Sequence, residues 1–231
     1  LSLIFSGLAP LLLIAGRASI YAEMEFVKEW FVPVLVVHVN LSVGLWFLAL
    51  CAMCWSYLIE ERHKWLQKLS LFLFGVAIIL MACSPLYGGD AYTSNYIPVQ
   101  NNILFFSGLA LVTASLIAML AGVLLSESDS SSLYVFMIKI NALTVLVALS
   151  CFYLSWLQHP SGYGGESFYE AIFWGGGHIL QIAYVQLAII AWLWISYRLA
   201  IKRLADVFVR GIFKILWLAV ALTPLVYFFA D

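Results

Sequence analysis

Apolar residues run on in this chain for about twenty positions at a time, with almost no charge to interrupt them, and that pattern leaves few folds open. A bilayer-spanning helix needs about 20 consecutive apolar residues, and seven runs meet or approach that length: Leu3–Ala22, Phe31–Leu58, Leu69–Tyr87, Ile103–Leu125, Leu133–Leu157, Phe168–Tyr197 and Ile212–Phe229. The runs are too long and lack the period-two alternation of a transmembrane strand, so a barrel is disfavoured. The expected architecture is an all-α, polytopic transmembrane helix bundle, a single domain over residues 1–231 with seven spans. Only 10% of the residues are charged, against roughly a quarter in a soluble domain. The 11 basic residues, dispersed and offset to a net charge of −1, exclude nucleic acid as a partner and leave membrane lipid as the surrounding medium.

Loop charges orient the bundle, because cytoplasmic loops collect Lys and Arg. Arg62, Lys64 and Lys68 follow the second run, and Arg198, Lys202, Arg203 and Arg210 follow the sixth, whereas Gly88–Asn102 and Gln158–Glu170 contain neither residue type. The N-terminus is therefore expected in the cytoplasm. Arg17 and Lys28 around the first loop, and the acidic Ser126–Ser130 loop, run against this trend. The first run lacks the basic start and small-residue cleavage site of a signal peptide and is read as a helix.

Polar groups inside the runs are the candidates for chemistry, since an ionisable side chain within a membrane is costly to keep without a use. His178 follows Gly175-Gly176-Gly177, whose bare backbone offers close approach to a large flat cofactor or, equally, to a neighbouring helix. His38, in Val36-Val37-His38-Val39-Asn40, reads either as a metal ligand or as a ring satisfied by a backbone carbonyl or by Asn40. Both runs enter from the same side, which puts the two rings at depths of roughly 10 and 15 Å and predicts that they share a layer. Lys139, Asn141, Gln181 and Gln186 read as interhelical hydrogen bonds or as a proton path, with Lys139 and Gln181 the proton-path candidates. His63 and His159 fall in loops and read as solvated or capping residues. Cys51, Cys54, Cys83 and Cys151 all lie in apolar runs, and the Cys51-Ala52-Met53-Cys54 spacing reads as packing rather than redox chemistry.

Taken in order, these segments resemble subunit I of the haem-copper oxidase superfamily, over nearly the whole chain. Val37-His38-Val39-Asn40-Leu41-Ser42-Val43-Gly44-Leu45-Trp46 is similar to the second helix of that family, above all in nitric oxide reductases and B-type cytochrome c oxidases. Tyr92–Val99 followed by Phe105–Leu109 resembles the loop and entry into its fourth helix, Phe173–His178 its sixth, and Leu222-Thr223-Pro224-Leu225-Val226-Tyr227 its seventh.

The resemblance implies that His38 binds a low-spin haem b and that His178 occupies a copper-ligand position beside a second, high-spin haem. It also implies cytochrome c or quinol as electron donor and other respiratory-complex subunits as partners. The membrane would be a bacterial or archaeal plasma membrane or the mitochondrial inner membrane. This sequence departs from the family in helix six, where Ile182, beside Gln181, stands in the place of a tyrosine or glutamate. In helix seven Phe228-Phe229 stand where the family has two adjacent histidines, and the helices that carry the remaining haem ligands have no counterpart in these 231 residues. The chain is accordingly expected to be either the N-terminal part of a longer, twelve-helix subunit that reduces oxygen or nitric oxide, or a non-catalytic haem-binding or scaffolding relative.

Overall fold

In the computed structural model the description covers residues 1–18, 21, 23–127, 131–158, 162–199 and 206–229. Almost all of them are helical. Helix α1 covers Ser2–Arg17. Helix α2, Glu25–Leu58, is α-helical to Val39, widens into a π-helical segment at Asn40–Leu45 and closes as a 3-10 turn at Ser56–Leu58. Helices α3 (Glu61–Tyr87), α4 (Ile103–Leu125), α5 (Leu133–Gln158), α6 (Gly165–Arg198) and α7 (Asp206–Phe229, with a break after Ala221) follow.

Six of these helices, α2 to α7, are long and apolar enough to cross a membrane, so the chain is an integral membrane protein. The first apolar run yields a shorter helix than its composition predicts. Ala18 is already extended, with φ −82° and ψ 125°, and 16 residues rise only about 24 Å against a hydrocarbon thickness of about 30 Å.

Lipid explains what would be an instability in water. Leu11, Leu71, Phe72, Trp192 and Ile215 are each about 70% exposed, on faces where acyl chains, not water, are the solvent. With no hydrophobic force to bring helices together in lipid, close packing must do so, and small residues permit it. A Cβ on Gly108 of α4 would lie 3.1 Å from the Ala77 carbonyl oxygen and 2.5 Å from Met81 Cγ of α3. The helix backbones meet there because no side chain intervenes.

The contacts group the described residues into two compact units. The first comprises Leu1–Ala49, Lys68–Leu116 and Gly162–Glu170, and the second Leu50–Gln67, Ile117–Ser161 and Ala171–Asp231. In the first unit, the segment between α3 and α4 forms a two-stranded antiparallel hairpin, β1 (Ala91–Tyr92) with β2 (Val99–Gln100). Gly89 makes its entry possible: its φ is +91°, and a Cβ would stand 2.5 Å from the Asn101 carbonyl. Gln100, fully buried, donates to the carbonyls of Gly88 and Gly89. Asn95 donates through both its backbone N–H and its Nδ2 to Glu170, and Thr93 donates to Glu166. These acids sit in the first turns of α6, where the partial positive charge of a helix N-terminus favours them.

Gly108→Ala is expected to destabilise the protein by about 1–3 kcal/mol through overpacking against α3. Gly75→Ala, where a Cβ meets nothing within 4 Å, is expected to be neutral or stabilising by up to about 1 kcal/mol. Thermal unfolding in detergent micelles reads the difference; equal midpoints for the two variants contradict this account of the α3–α4 contact.

Candidate functional site

His38 stands one residue short of the point where α2 changes from α to π geometry, a distortion found disproportionately at functional sites. Two neighbours hold the distorted segment. Asn40 donates to Val36 O at 2.9 Å and to Pro98 O of the hairpin at 2.7 Å. The His38 carbonyl accepts from Ser42 Oγ at 2.6 Å and from Ser6 Oγ of α1 at 3.3 Å.

The same contact with α1 engages the ring. His38 Nδ1 lies 3.0 Å from the Ser6 carbonyl oxygen and 3.1 Å from the Ser6 hydroxyl; it donates to the carbonyl when it carries the hydrogen and accepts from the hydroxyl when it does not. With the hydrogen on Nδ1, Nε2 of the neutral ring holds the lone pair. This is the arrangement in which a histidine ligates a metal, its other nitrogen donating to a backbone carbonyl that fixes tautomer and orientation. The imidazole lines a groove of about 520 Å³ between α1 and α2, whose walls are Pro10, Leu13, Ile14, Phe31 and Leu35. Of the two alternatives offered by the residues, the structure shows the backbone carbonyl, that of Ser6, as a partner of one ring nitrogen.

His178 belongs to the second unit, as do Lys139 and Gln181, whereas His38 belongs to the first; each histidine is described in its own surroundings. His178 Nδ1 lies 2.9 Å from the Trp174 carbonyl one turn back, and the Trp174 ring centroid is 4.1 Å from that of the imidazole. Gly175 and Gly176 serve helix contacts. A Cβ on Gly175 would collide with the Tyr227 hydroxyl at 2.0 Å, and one on Gly176 with the Phe152 ring at 2.4 Å. Side chains of α7 and α5 therefore take the space that bare backbone offers at these two positions. Phe228 and Phe229 are 70% and 83% exposed and carry no donor atom.

The other intramembrane polar groups separate clearly. Asn141, buried, accepts from the Trp55 indole N–H at 2.9 Å and donates to Ala183 O at 2.8 Å, with Gln186 Oε1 at 3.4 Å. It joins α2, α5 and α6 as an interhelical hydrogen-bonding node. Gln186 is fully buried, and its Nε2 has no hydrogen-bond partner among the described residues. Lys139 borders a second, smaller cavity of about 140 Å³ with Ser126, Leu120 and Leu146, and Ser126 Oγ accepts there from the Glu60 N–H. Gln181 lies on an exposed face of α6. His63 ends a short 3-10 turn, and His159, Lys202 and Arg203 lie outside the described residues. All four cysteines are free thiols.

Ser6, Ser42 and Trp55 complete these sites without having stood out in the sequence. Ser6 carried one signal, a small hydroxyl in an otherwise apolar run, but its effect passes through its backbone carbonyl, which no residue type encodes.

No family model matches the chain, and no solved structure matches it. It is 28% identical over 246 aligned positions to an uncharacterised protein of Rickettsia prowazekii (strain Madrid E), covering 88% of this chain and 46% of that protein. It is 25% identical over 240 positions to an uncharacterised protein of Aquifex aeolicus (strain VF5), covering 100% of this chain and 57% of that one. The chain thus spans about half the length of these relatives.

Asn141→Ala removes the acceptor of Trp55 and the donor to Ala183 at once. It is expected to lower stability by about 1–2 kcal/mol, the upper range for hydrogen bonds between membrane helices. Unfolding in detergent followed by tryptophan fluorescence measures it; an unchanged midpoint would show that the node carries no net stability.

Proposed function

We propose that this chain is a haem-binding electron-transfer subunit of the haem-copper oxidase type, with His38 as an axial ligand of a low-spin haem b. The observation that carries the reading is the contact of His38 Nδ1 with the Ser6 carbonyl at 3.0 Å: with the hydrogen on Nδ1, Nε2 is a Lewis base on a residue that lines the groove between α1 and α2. The segment resemblance supports the same residue independently. The residues fit the group: His38 would hold the iron, and Pro10, Leu13, Phe31 and Leu35 would supply apolar walls. Bound there, haem would supply reversible one-electron transfer. The chain's own part is to orient the His38 ring through its contact with Ser6.

In this reading α1 is a seventh span, short and accommodated by local thinning of the bilayer, and the N-terminus is cytoplasmic. Electrons arrive from cytochrome c or quinol through other respiratory subunits and leave toward oxygen or nitric oxide. His178 would take the copper-side position, and among the described residues no group of three or more His, Cys, Asp or Glu side chains could hold a metal ion. A copper centre there, with its second haem, requires ligands from elsewhere in a longer protein. Lys139, beside its polar-edged cavity, is the stronger of the two proton-path candidates, since Gln181 lies on an exposed face. A specific observation favours the second reading, a non-catalytic haem-binding or scaffolding relative: Phe228 and Phe229 lack donor atoms, and Phe152 and Tyr227 fill the space at Gly176 and Gly175.

His38→Ala is expected to abolish the low-spin haem band in the reduced-minus-oxidised spectrum of the purified protein, and His178→Ala to leave it in place. A His38→Ala spectrum identical to that of the unaltered protein removes the assignment. Copper near one per chain with oxygen or nitric oxide turnover would select the catalytic reading, and haem without copper the other.

A further inference from the structure

The smaller cavity lies wholly within the second unit, between the last turns of α4 and the first half of α5, and electron transfer at His38 makes no use of it. Leu120, Leu124 and Ser126 line one side, and Lys139, Leu143 and Leu146 the other. These walls are graded by depth. Ser126 follows the last residue of α4 and marks the membrane-surface end. Lys139 lies six residues into α5, roughly 9 Å along its axis, and Leu146 thirteen residues in, roughly 20 Å. Side chains lean toward the N-terminus of their own helix, so the Lys139 ammonium is carried toward Ser126 and away from Leu143 and Leu146. Leu124 is exposed, and an acyl chain of the bilayer reaches the cavity past it.

The mouth carries charge of the other sign. The Ser126 hydroxyl accepts from the Glu60 N–H, and the Glu60 carboxylate accepts from the Glu127 N–H and pairs with Arg62 at 2.7 Å. The exposed side chain of Glu127 stands at the next position after Ser126. From the surface inward the site thus presents a carboxylate, an ammonium and then hydrocarbon. An amine-bearing phospholipid presents, in the same order, an ammonium, a phosphate and hydrocarbon. A lysine meets a phosphate as a point charge, and basic pockets between membrane helices hold lipid headgroups.

We propose that the α4–α5 cavity is a binding site for phosphatidylethanolamine, with its phosphate on Lys139, its ammonium toward Glu127 and part of one acyl chain against Leu120, Leu143 and Leu146. A purely anionic headgroup would set its charge against Glu127, and the apolar walls give a free phosphate nothing to bind. A phosphate partner keeps Lys139 charged, a use that requires no proton transfer. The site is independent of the haem reading, and failure of either leaves the other intact.

The test reconstitutes the full-length protein in nanodiscs of phosphatidylethanolamine and phosphatidylglycerol in equal parts, transfers it to detergent and identifies the retained lipid by native mass spectrometry. The unaltered protein is expected to favour phosphatidylethanolamine by about threefold, the discrimination that an exposed ion pair provides, and Glu127→Gln to bring that ratio close to one. Lys139→Met is expected to lower total retained phospholipid about tenfold, the loss of one charge-assisted hydrogen bond, and Lys139→Arg to restore most of it. A large excess of inorganic phosphate is expected to leave the lipid in place; displacement by it identifies a free-anion site and overturns the proposal. An unaltered protein that retains no phospholipid, or both headgroups equally, overturns it with no variant needed, as does a Lys139→Met protein with undiminished retention.

Discussion

A single hydrogen bond, from His38 Nδ1 to the carbonyl of Ser6, connects the fold of this protein to its proposed chemistry. A histidine in an apolar helix has two nitrogens to satisfy and one proton to share between them. Donated to Ser6, that proton is spent on the protein's own backbone and leaves the other nitrogen a base on a residue that lines the groove. It also fixes the level at which α1 packs on α2, since the Ser6 hydroxyl donates to the carbonyl of the same histidine. Scaffold and ligand are therefore held by the same two residues.

The environment around that bond is arranged to keep it. The π-helical turn at Asn40–Leu45 loosens the regular ladder next to His38, and the hydroxyls of Ser42 and Ser6 take up the His38 carbonyl. Asn40 ties the turn to Pro98 in the hairpin, and the hairpin is in turn fastened to Glu166 and Glu170. A chain of polar contacts thus reaches from the loop to the candidate ligand through a segment otherwise built of Val, Leu and Phe. Within the apolar segment such contacts have few competitors, because there is no water to replace them, whereas the bonds to Glu166 and Glu170 are exposed.

Much of the fold was written in composition. The bilayer demands a minimum apolar length, and each of α2 to α7 contains one of the predicted runs nearly whole, although α2, α3 and α7 begin six to eight residues earlier, at Glu25, Glu61 and Asp206. The early end of α1 was not legible, since nothing in Leu3–Ala22 but Arg17 marks a stop. Nor was the π segment, because it depends on Asn40 meeting Pro98, a contact 58 residues away in sequence. The glycines before His178 illustrate the same limit. Their spacing invites either a cofactor or a helix, and only the positions of Phe152 and Tyr227 decide for a helix at Gly175 and Gly176. His38 was recognisable as a candidate from its setting and from the family resemblance. The partner of its ring was not, because Ser6 of another helix supplies it through its carbonyl and hydroxyl.

The most direct test of the central claim is a pulsed-EPR hyperfine measurement on the oxidised, haem-loaded protein, produced with 15N-labelled histidine. The account expects coupling between low-spin ferric iron and an imidazole nitrogen, with one labelled contribution lost when His38 is replaced by Met. Absence of any histidine coupling to the iron, or a spectrum that the replacement leaves untouched, would contradict it.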